Sequence, residues 1–232
     1  DAALELARAQ VAAGVREVAC TPHVNRGYPA NTSSAIARWA VEFQQQLDGA
    51  QLPLRIHAGA EVAVATAIEL GDDELSGLHL GSSNLLLLEP PLATDLPRLE
   101  QLVLGLQRRG HQILVAHPER CVAFHRDPKL LGALVRQGVY AQVTAGSLAG
   151  AFGRTVAKLA RTMVDEQVVQ VVASDAHDVL RRPPGLAEPL TAAGYEWLTE
   201  WACEEVPAAL ISGEAPSPMP SPPRRRRLFR NR

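Results

Sequence analysis

The feature that most constrains this 232-residue chain is a regular alternation of strand-like and helix-like runs. Residues 2–13, rich in Ala and Leu, read as a helix stopped by Gly14, and residues 15–20 (VREVAC) as a strand. Thr32 or Ser33 can cap the next helix, in which Ile36, Trp39, Ala40, Phe43 and Leu47 follow helical spacing. Further strands are read at 54–61, 85–89, 112–117, 139–145 and 167–175, separated by helical patterns at 63–70, 96–106, 127–137 and 154–165. The run Leu85 to Leu88 has no polar alternation, which implies burial on both faces. Six strands alternating with helices argue for a parallel sheet or an α/β barrel. Neither a Gly-rich dinucleotide fingerprint nor a P-loop follows any strand, so the common nucleotide-binding folds lose support.

Aromatic residues make up only 4% of the chain against 47% hydrophobic residues, so the core must be built from Leu, Val, Ile and Ala. No apolar run approaches the roughly 20 residues needed to cross a bilayer. The first residues, DAALELARAQ, are charged and amphipathic rather than a secretory signal. Three cysteines cannot all pair, and a chain of this length needs no covalent staple, which favours a reducing, cytoplasmic setting. The net charge of −2 hides an asymmetry: the last nine residues, RRRRLFRNR, hold six arginines and no acid. Without those six, 17 basic residues face 25 acidic ones, a charge of −8. Before the arginines comes the proline-rich APSPMPSPP. The expected organisation is therefore one domain over 1–213 and a Pro-rich, then Arg-rich, disordered tail over 214–232. The tail is either a solvated, silent segment or a contact for an acidic surface, and no nucleic-acid partner is expected.

The reactive residues fall at the strand ends. Strand 15–20 runs into Thr21-Pro22-His23, strand 54–61 ends at Glu61, and strand 85–89 at Glu89. Strand 112–117 ends at His117 in His117-Pro118-Glu119-Arg120, and strand 167–175 at Asp175, followed by His177. The strand near 140 ends instead with Thr144 and Ser147. In α/β barrels the carboxyl ends of the strands share one face, so these side chains would converge there. Two Glu, one Asp and three His suit hard or borderline cations such as Mn²⁺, Zn²⁺ or Fe²⁺. Two such cations can generate hydroxide and clamp a phosphoryl group. His57, His79, His111 and His125 do not share this placement and read as structural or solvent-facing. Cys20 to Arg26 also fits C-x5-R, the spacing of cysteine-dependent phosphatases. Pro22 removes an amide donor and no glycine lies inside that loop, so a small buried strand residue is the better reading of Cys20.

The series TPH, GAE, LLLEPP, AHPER and SDAH, followed by RRPP, resembles the polymerase-and-histidinol-phosphatase (PHP) superfamily. Within it, the pattern over roughly residues 1–190 is similar to the bacterial tyrosine-protein phosphatases of the CpsB/YwqE type, which act in capsule and exopolysaccharide synthesis. The resemblance implies a distorted (β/α)7 barrel and a cluster of two or three divalent ions, Mn²⁺ before Fe²⁺ or Zn²⁺. It implies a metal-bound hydroxide as nucleophile, attacking phosphotyrosine on a bacterial tyrosine kinase. Carried across, it makes His23, Glu61, Glu89, His117, Asp175 and His177 metal-site residues, and Arg120 and Arg182 phosphate binders, whose planar forks match a phosphate dianion. Members of that family begin with a strand bearing HxH and a nearby acidic DDG segment. Neither stands in this sequence, so a missing first strand is expected. Two other readings stay open: a PHP phosphatase for a small ester such as histidinol phosphate, and an inactive phosphotyrosine-binding scaffold.

Overall fold

Every strand pairing in the structure, a computed structural model describing residues 2–222, is parallel. The strands are β1 (Glu17–Cys20), β2 (His23–Val24), β3 (Arg55–Ala58), β4 (Glu61–Ala63), β5 (Leu85–Glu89), β6 (Gln112–Ala116), β7 (Tyr140–Thr144) and β8 (Val171–Ala173). They form a six-stranded sheet, ordered β2-β4-β5-β6-β7-β8, and a separate β1-β3 pair. The fold class is thus α/β with a parallel sheet, as expected. The sheet does not close: among the described residues β2 and β8 each have one strand neighbour, where a barrel would join them.

The six expected strands appear as eight because the first two are interrupted. Val18 pairs with Ile56, and beyond the break His23 pairs with Glu61 at the same offset, so β1-β3 and β2-β4 are two parts of one ladder. Pro22 has no N–H to give to that ladder. Its carbonyl instead accepts from the Glu61 amide at 3.1 Å and carries the pairing across the gap. On the other strand the break falls at Gly59. A Cβ at Gly59 would meet Leu80 Cδ2 at 2.4 Å and Leu80 Cα at 3.2 Å, so the backbone approaches that turn as only glycine allows.

Helices cover the sheet because parallel strands need long crossovers. They are α1 (Ala2–Ala12), α2 (Ser33–Gly49), α3 (Val64–Ala67), α4 (Asp72–Ser76), α5 (Leu99–Arg108), α6 (Val122–Arg126), α7 (Lys129–Arg136), α8 (Ala145–Ala149), α9 (Arg154–Asp165), α10 (Ala187–Ala193) and α11 (Val206–Ile211). The Thr32 hydroxyl accepts from the Ala35 amide and caps α2. Trp39, expected on the buried stripe of α2, is instead 39% exposed, because the buried face is centred on Ala35, Ile36 and Leu47. The main core packs Leu85 to Leu88 and Ile113 to Ala116 between helices, including Leu106 and Leu148. A smaller core of Ala7, Leu47 and Leu54 closes over β1 and β3. No helix among the described residues is long and apolar enough to cross a membrane.

The last helix ends at Ile211, next to the boundary expected near Gly213. Residues 214–222 have no regular secondary structure. They are nevertheless docked: the Trp201 indole donates to the Ser217 carbonyl, Ser217 Oγ to Glu205, and Met219 packs on the core. The arginine-rich end expected to be disordered, residues 223–232, lies outside the described residues.

Because Gly59 lies against Leu80, Gly59→Ala should overpack the turn that leads into Glu61. The expected loss is about 1–3 kcal/mol, read as a lower urea midpoint at unchanged slope; a midpoint equal to wild type would remove this packing constraint.

Candidate active site

In-register parallel strands bring their carboxyl ends side by side, and the ladder sets the spacing of the side chains there. His23 begins β2 directly opposite Glu61, which begins β4. Glu89 ends β5 opposite Ala63, two residues beyond Glu61 and so on the same face of the sheet. His117 follows β6 with φ 31°, and Asp175 lies just past β8 with φ 51°. Both are non-glycine residues in the left-handed region, a cost of order 1–3 kcal/mol each. At His117 the next residue is proline, which disfavours the right-handed helical conformation. The turn passes directly into a 3₁₀ segment, Pro118–Arg120, that carries Arg120.

One half of the site is built of two carboxylates facing two imidazoles. Glu61 is buried, with Oε2 2.9 Å from His23 Nδ1 and Oε1 2.9 Å from His117 Nε2. Glu89 faces the same nitrogens at 3.8 and 3.6 Å. Burial pushes the Glu61 carboxyl up, but the hydrogen bond from His117 and the charges of His117, His23 and Arg120 together bring it below the usual carboxylate range. Burial would lower His117, and its contact with Glu61 outweighs that, so it is held above the ordinary imidazole value. Glu89 is held up by burial and by the neighbouring Glu61 charge. The ligand-type atoms of His23, Glu61 and Glu89 all lie within 4.8 Å of one another. His23 Nδ1 is buried and makes no aligned hydrogen bond despite its closeness to Glu61. Two electron-pair donors facing each other in this way are an arrangement that a divalent cation satisfies, and the N/O donor set suits a hard or borderline one.

The other half brings two guanidinium groups onto one carboxylate. Arg120 Nη1 donates to Asp175 Oδ2 at 2.7 Å, and Arg182 Nη2 donates to the same oxygen. The amides of Leu180 and Arg181 donate to Asp178 Oδ1, and the amides of His177 and Asp178 to the Arg182 carbonyl. That tight loop returns Arg182 to Asp175. His177 Nδ1 lies 3.0 Å from the Asp175 carbonyl, so with Nδ1 as donor its Nε2 is the ligand-type nitrogen. The structure therefore gathers His23, Glu61, Glu89 and His117 into one cluster. It joins Asp175 to Arg120, Arg182 and His177, and the His23 and His177 rings, 6.1 Å apart, adjoin the two groups.

Three side chains of this region escape sequence reasoning. Phe152 lies under both guanidinium groups, 4.6 Å from Arg120 Cζ and 5.9 Å from Arg182 Cζ. It comes from the turn after α8, where Gly150 takes φ 95°. The β7 end, which supplies no expected ligand, thus supplies an aromatic platform; nothing in GAFG signals it. Glu119, inside the AHPER run, is fully buried and accepts from the Thr144 amide at 3.0 Å, tying the β6 end to the β7 end. Burial pushes its carboxyl up, against the Thr144 amide and the Ser147 hydroxyl. Tyr28 stacks on His23 with ring centroids 5.9 Å apart.

The cysteine reading finds no support in the geometry. Burial pushes the Cys20 thiol up, and Arg26 is an exposed side chain paired with Glu69 at 2.6 Å. A thiolate nucleophile needs the opposite shift. The remaining histidines have local partners. His57 pairs with Glu17, His125 with the Glu119 carbonyl, and His79 with His111, which approaches Asp72. Burial and the facing His111 bring His79 down to about 4.

Comparison with known proteins gives a consistent likeness. Tyrosine-protein phosphatase YwqE of Bacillus subtilis is 33% identical over 230 residues, covering 97% of this chain and 90% of YwqE. Tyrosine-protein phosphatase CpsB of Streptococcus pneumoniae is 26% identical over 178 residues, 74% of this chain and 72% of CpsB. A solved chain from the work on YwqE from Bacillus subtilis and CpsB from Streptococcus pneumoniae, described as unique metal-dependent tyrosine phosphatases, superposes with a TM-score of 0.76 at 29% identity. That superposition covers 95% of this chain and 92% of the other. None of these likenesses tests whether a first strand is missing. Residues 1–199 match the family described as capsular polysaccharide synthesis, CpsB/CapC, and the chain belongs to that family.

Proposed function

We propose that this chain is a metal-dependent protein-tyrosine phosphatase that hydrolyses phosphotyrosine on a bacterial tyrosine kinase of capsule or exopolysaccharide synthesis, in the cytoplasm, with Mn²⁺ as its working cation. The observation that carries this reading is the adjacency of two opposite half-sites. The Glu61 carboxylate lies between His23 and His117, and Arg120, whose charge is felt at Glu61, turns its guanidinium to the other side, beside Arg182. A phosphate monoester needs both: cations on some oxygens and guanidinium forks on the others. The family and the names of the relatives supply the substrate class.

His23, Glu61 and Glu89 would hold the cation, with His117, His177 and Asp175 completing the cluster. A divalent cation there supplies Lewis-acid charge and activates water at neutral pH. Arg120 and Arg182 bind and orient the phosphoryl oxygens. Asp175 aligns the two guanidinium groups, and Phe152 supports them from below. His117 Nε2 lies 2.9 Å from Glu61 Oε1 and would turn its lone pair to the cation, with the Glu61 carboxylate beside it as an anionic ligand. The tyrosine phenol, with a pKa of about 10, is a better leaving group than a serine alkoxide.

Hydrolysis of p-nitrophenyl phosphate should vanish on chelation and return with Mn²⁺, while Cys20→Ser keeps wild-type rates. Loss of activity in Cys20→Ser with metal content intact would sink the metal reading in favour of the thiol one. Arg120→Ala or Arg182→Ala should keep metal content and lose roughly one to two decades of kcat/KM, the effect of one charge-assisted contact of about 1.5–3 kcal/mol. An Arg182→Ala enzyme with unchanged kinetics would take Arg182 out of the site. Phe152→Ala should raise KM for the same ester by about five- to thirtyfold, from the loss of about 0.5–1 kcal/mol at each of the two stacked guanidiniums. Phe152→Tyr should restore the wild-type value; an alanine variant with normal KM would make the platform incidental.

A further inference from the structure

We propose that Tyr28 is the residue by which this site recognises the aryl ring of an aryl phosphate ester, an inference that rests on the phosphatase reading for where the phosphoryl group lies. Exposure rises steadily across the site. The side chains of His117 and Glu61 are 3% and 7% exposed, Glu89 16%, His23 32% and His177 42%. Tyr28 is 53% exposed. The pocket therefore opens past His23 and His177 and is closed at His117. An aryl ester carries its ring two bonds from phosphorus. With phosphorus between the carboxylate–imidazole cluster and the arginines, the ring must leave toward the open side, where Tyr28 stands.

Tyr28 is also presented rather than merely left exposed. Its amide donates to the Asn25 carbonyl and its carbonyl accepts from the Asn31 amide, both at 3.0 Å. The Gly27 amide donates to Asn25 Oδ1, and Asn31 Nδ2 donates to the His23 carbonyl at 2.8 Å. This bracing sets the ring nearly parallel to the His23 imidazole, at an interplanar angle of 17°, one face on His23 and the remaining ring surface in solvent. Two further exposed apolar side chains, Leu92 and Leu180, lie on the loops that leave β5 and β8 at the same end of the sheet. Of these three side chains only Tyr28 offers the stacking geometry that aromatic pairs favour. An alkyl phosphate, such as a phosphoserine ester, has no ring to place.

The test is calorimetric binding of two unreactive probes, benzylphosphonate and methylphosphonate, to the full chain in excess Mn²⁺. Wild type should bind benzylphosphonate about three- to tenfold more tightly than methylphosphonate, the ratio expected of one aromatic pair. Tyr28→Ala should abolish the difference while methylphosphonate and Mn²⁺ binding stay unchanged, and Tyr28→Phe should restore it. The inference is overturned if wild type shows no preference, or if the preference survives in Tyr28→Ala. It is equally overturned if both probes or Mn²⁺ weaken together in that variant, since the ring would then only brace His23. Turnover of p-nitrophenyl phosphate by wild type is scored separately: its absence would strike the phosphatase reading and leave the binding result standing.

Discussion

The carboxylate of Glu61 is the point on which the site depends. It is buried, and a buried carboxylate is costly unless opposite charge and hydrogen bonds surround it. His117 supplies a hydrogen bond at 2.9 Å, and the charges of His117, His23 and Arg120 add to it. Neither histidine comes from Glu61's own strand. One is its ladder partner on β2, and the other follows β6, beyond the intervening β5. The parallel register of β2, β4, β5 and β6 is therefore what allows this carboxylate to stay ionised inside the protein. The close approach of Gly59 to Leu80 helps to set where β4 begins.

The consequence is a charge division within a few ångströms. The Glu61 and Glu89 side is negative and offers ligands to a cation; the Arg120 and Arg182 side is positive and offers donors to an anion. Placing two guanidinium groups together costs electrostatic repulsion, which Asp175 and the Phe152 ring face offset. The left-handed backbone at His117 and Asp175 lies one on each side of this division. Strained residues persist where the surrounding structure over-determines them, and here each lies just past a strand, at the carboxyl end of the sheet.

The residues that carry fold and chemistry differ in how openly they show themselves in a sequence. Strand runs such as Leu85 to Leu88 are legible because burial on both faces leaves no polar residue in the run. His23, Glu61, Glu89 and His117 are legible as a set because each sits where an apolar run ends, and polar ligand types are conspicuous there. The breaks at Pro22 and Gly59 are visible as residue types, but whether they end a strand or only bend it depends on a partner far along the chain. Phe152 and Tyr28 carry no signal at all. An aromatic residue in a loop looks the same whether it supports a guanidinium, stacks on a ligand or faces water.

By itself the sequence determined the alternation of strands and helices and the apolar identity of the central strands; from it the reactive groups read as strand-end residues, whereas His23 and Glu61 open β2 and β4. The alternation and the apolar identity depend on local periodicity and composition, which the chain encodes residue by residue. The tertiary structure alone decided that the sheet remains open among the described residues, that β1-β3 and β2-β4 are one interrupted ladder, and that Asp175 holds two arginines over Phe152. It also decided that Glu119 binds β7 from within, and that Trp39 faces solvent while Ser217 docks on Trp201. Each of these pairs groups that are distant in sequence or sets which face of a helix meets the core, and such pairings follow from how the layers pack, not from local pattern.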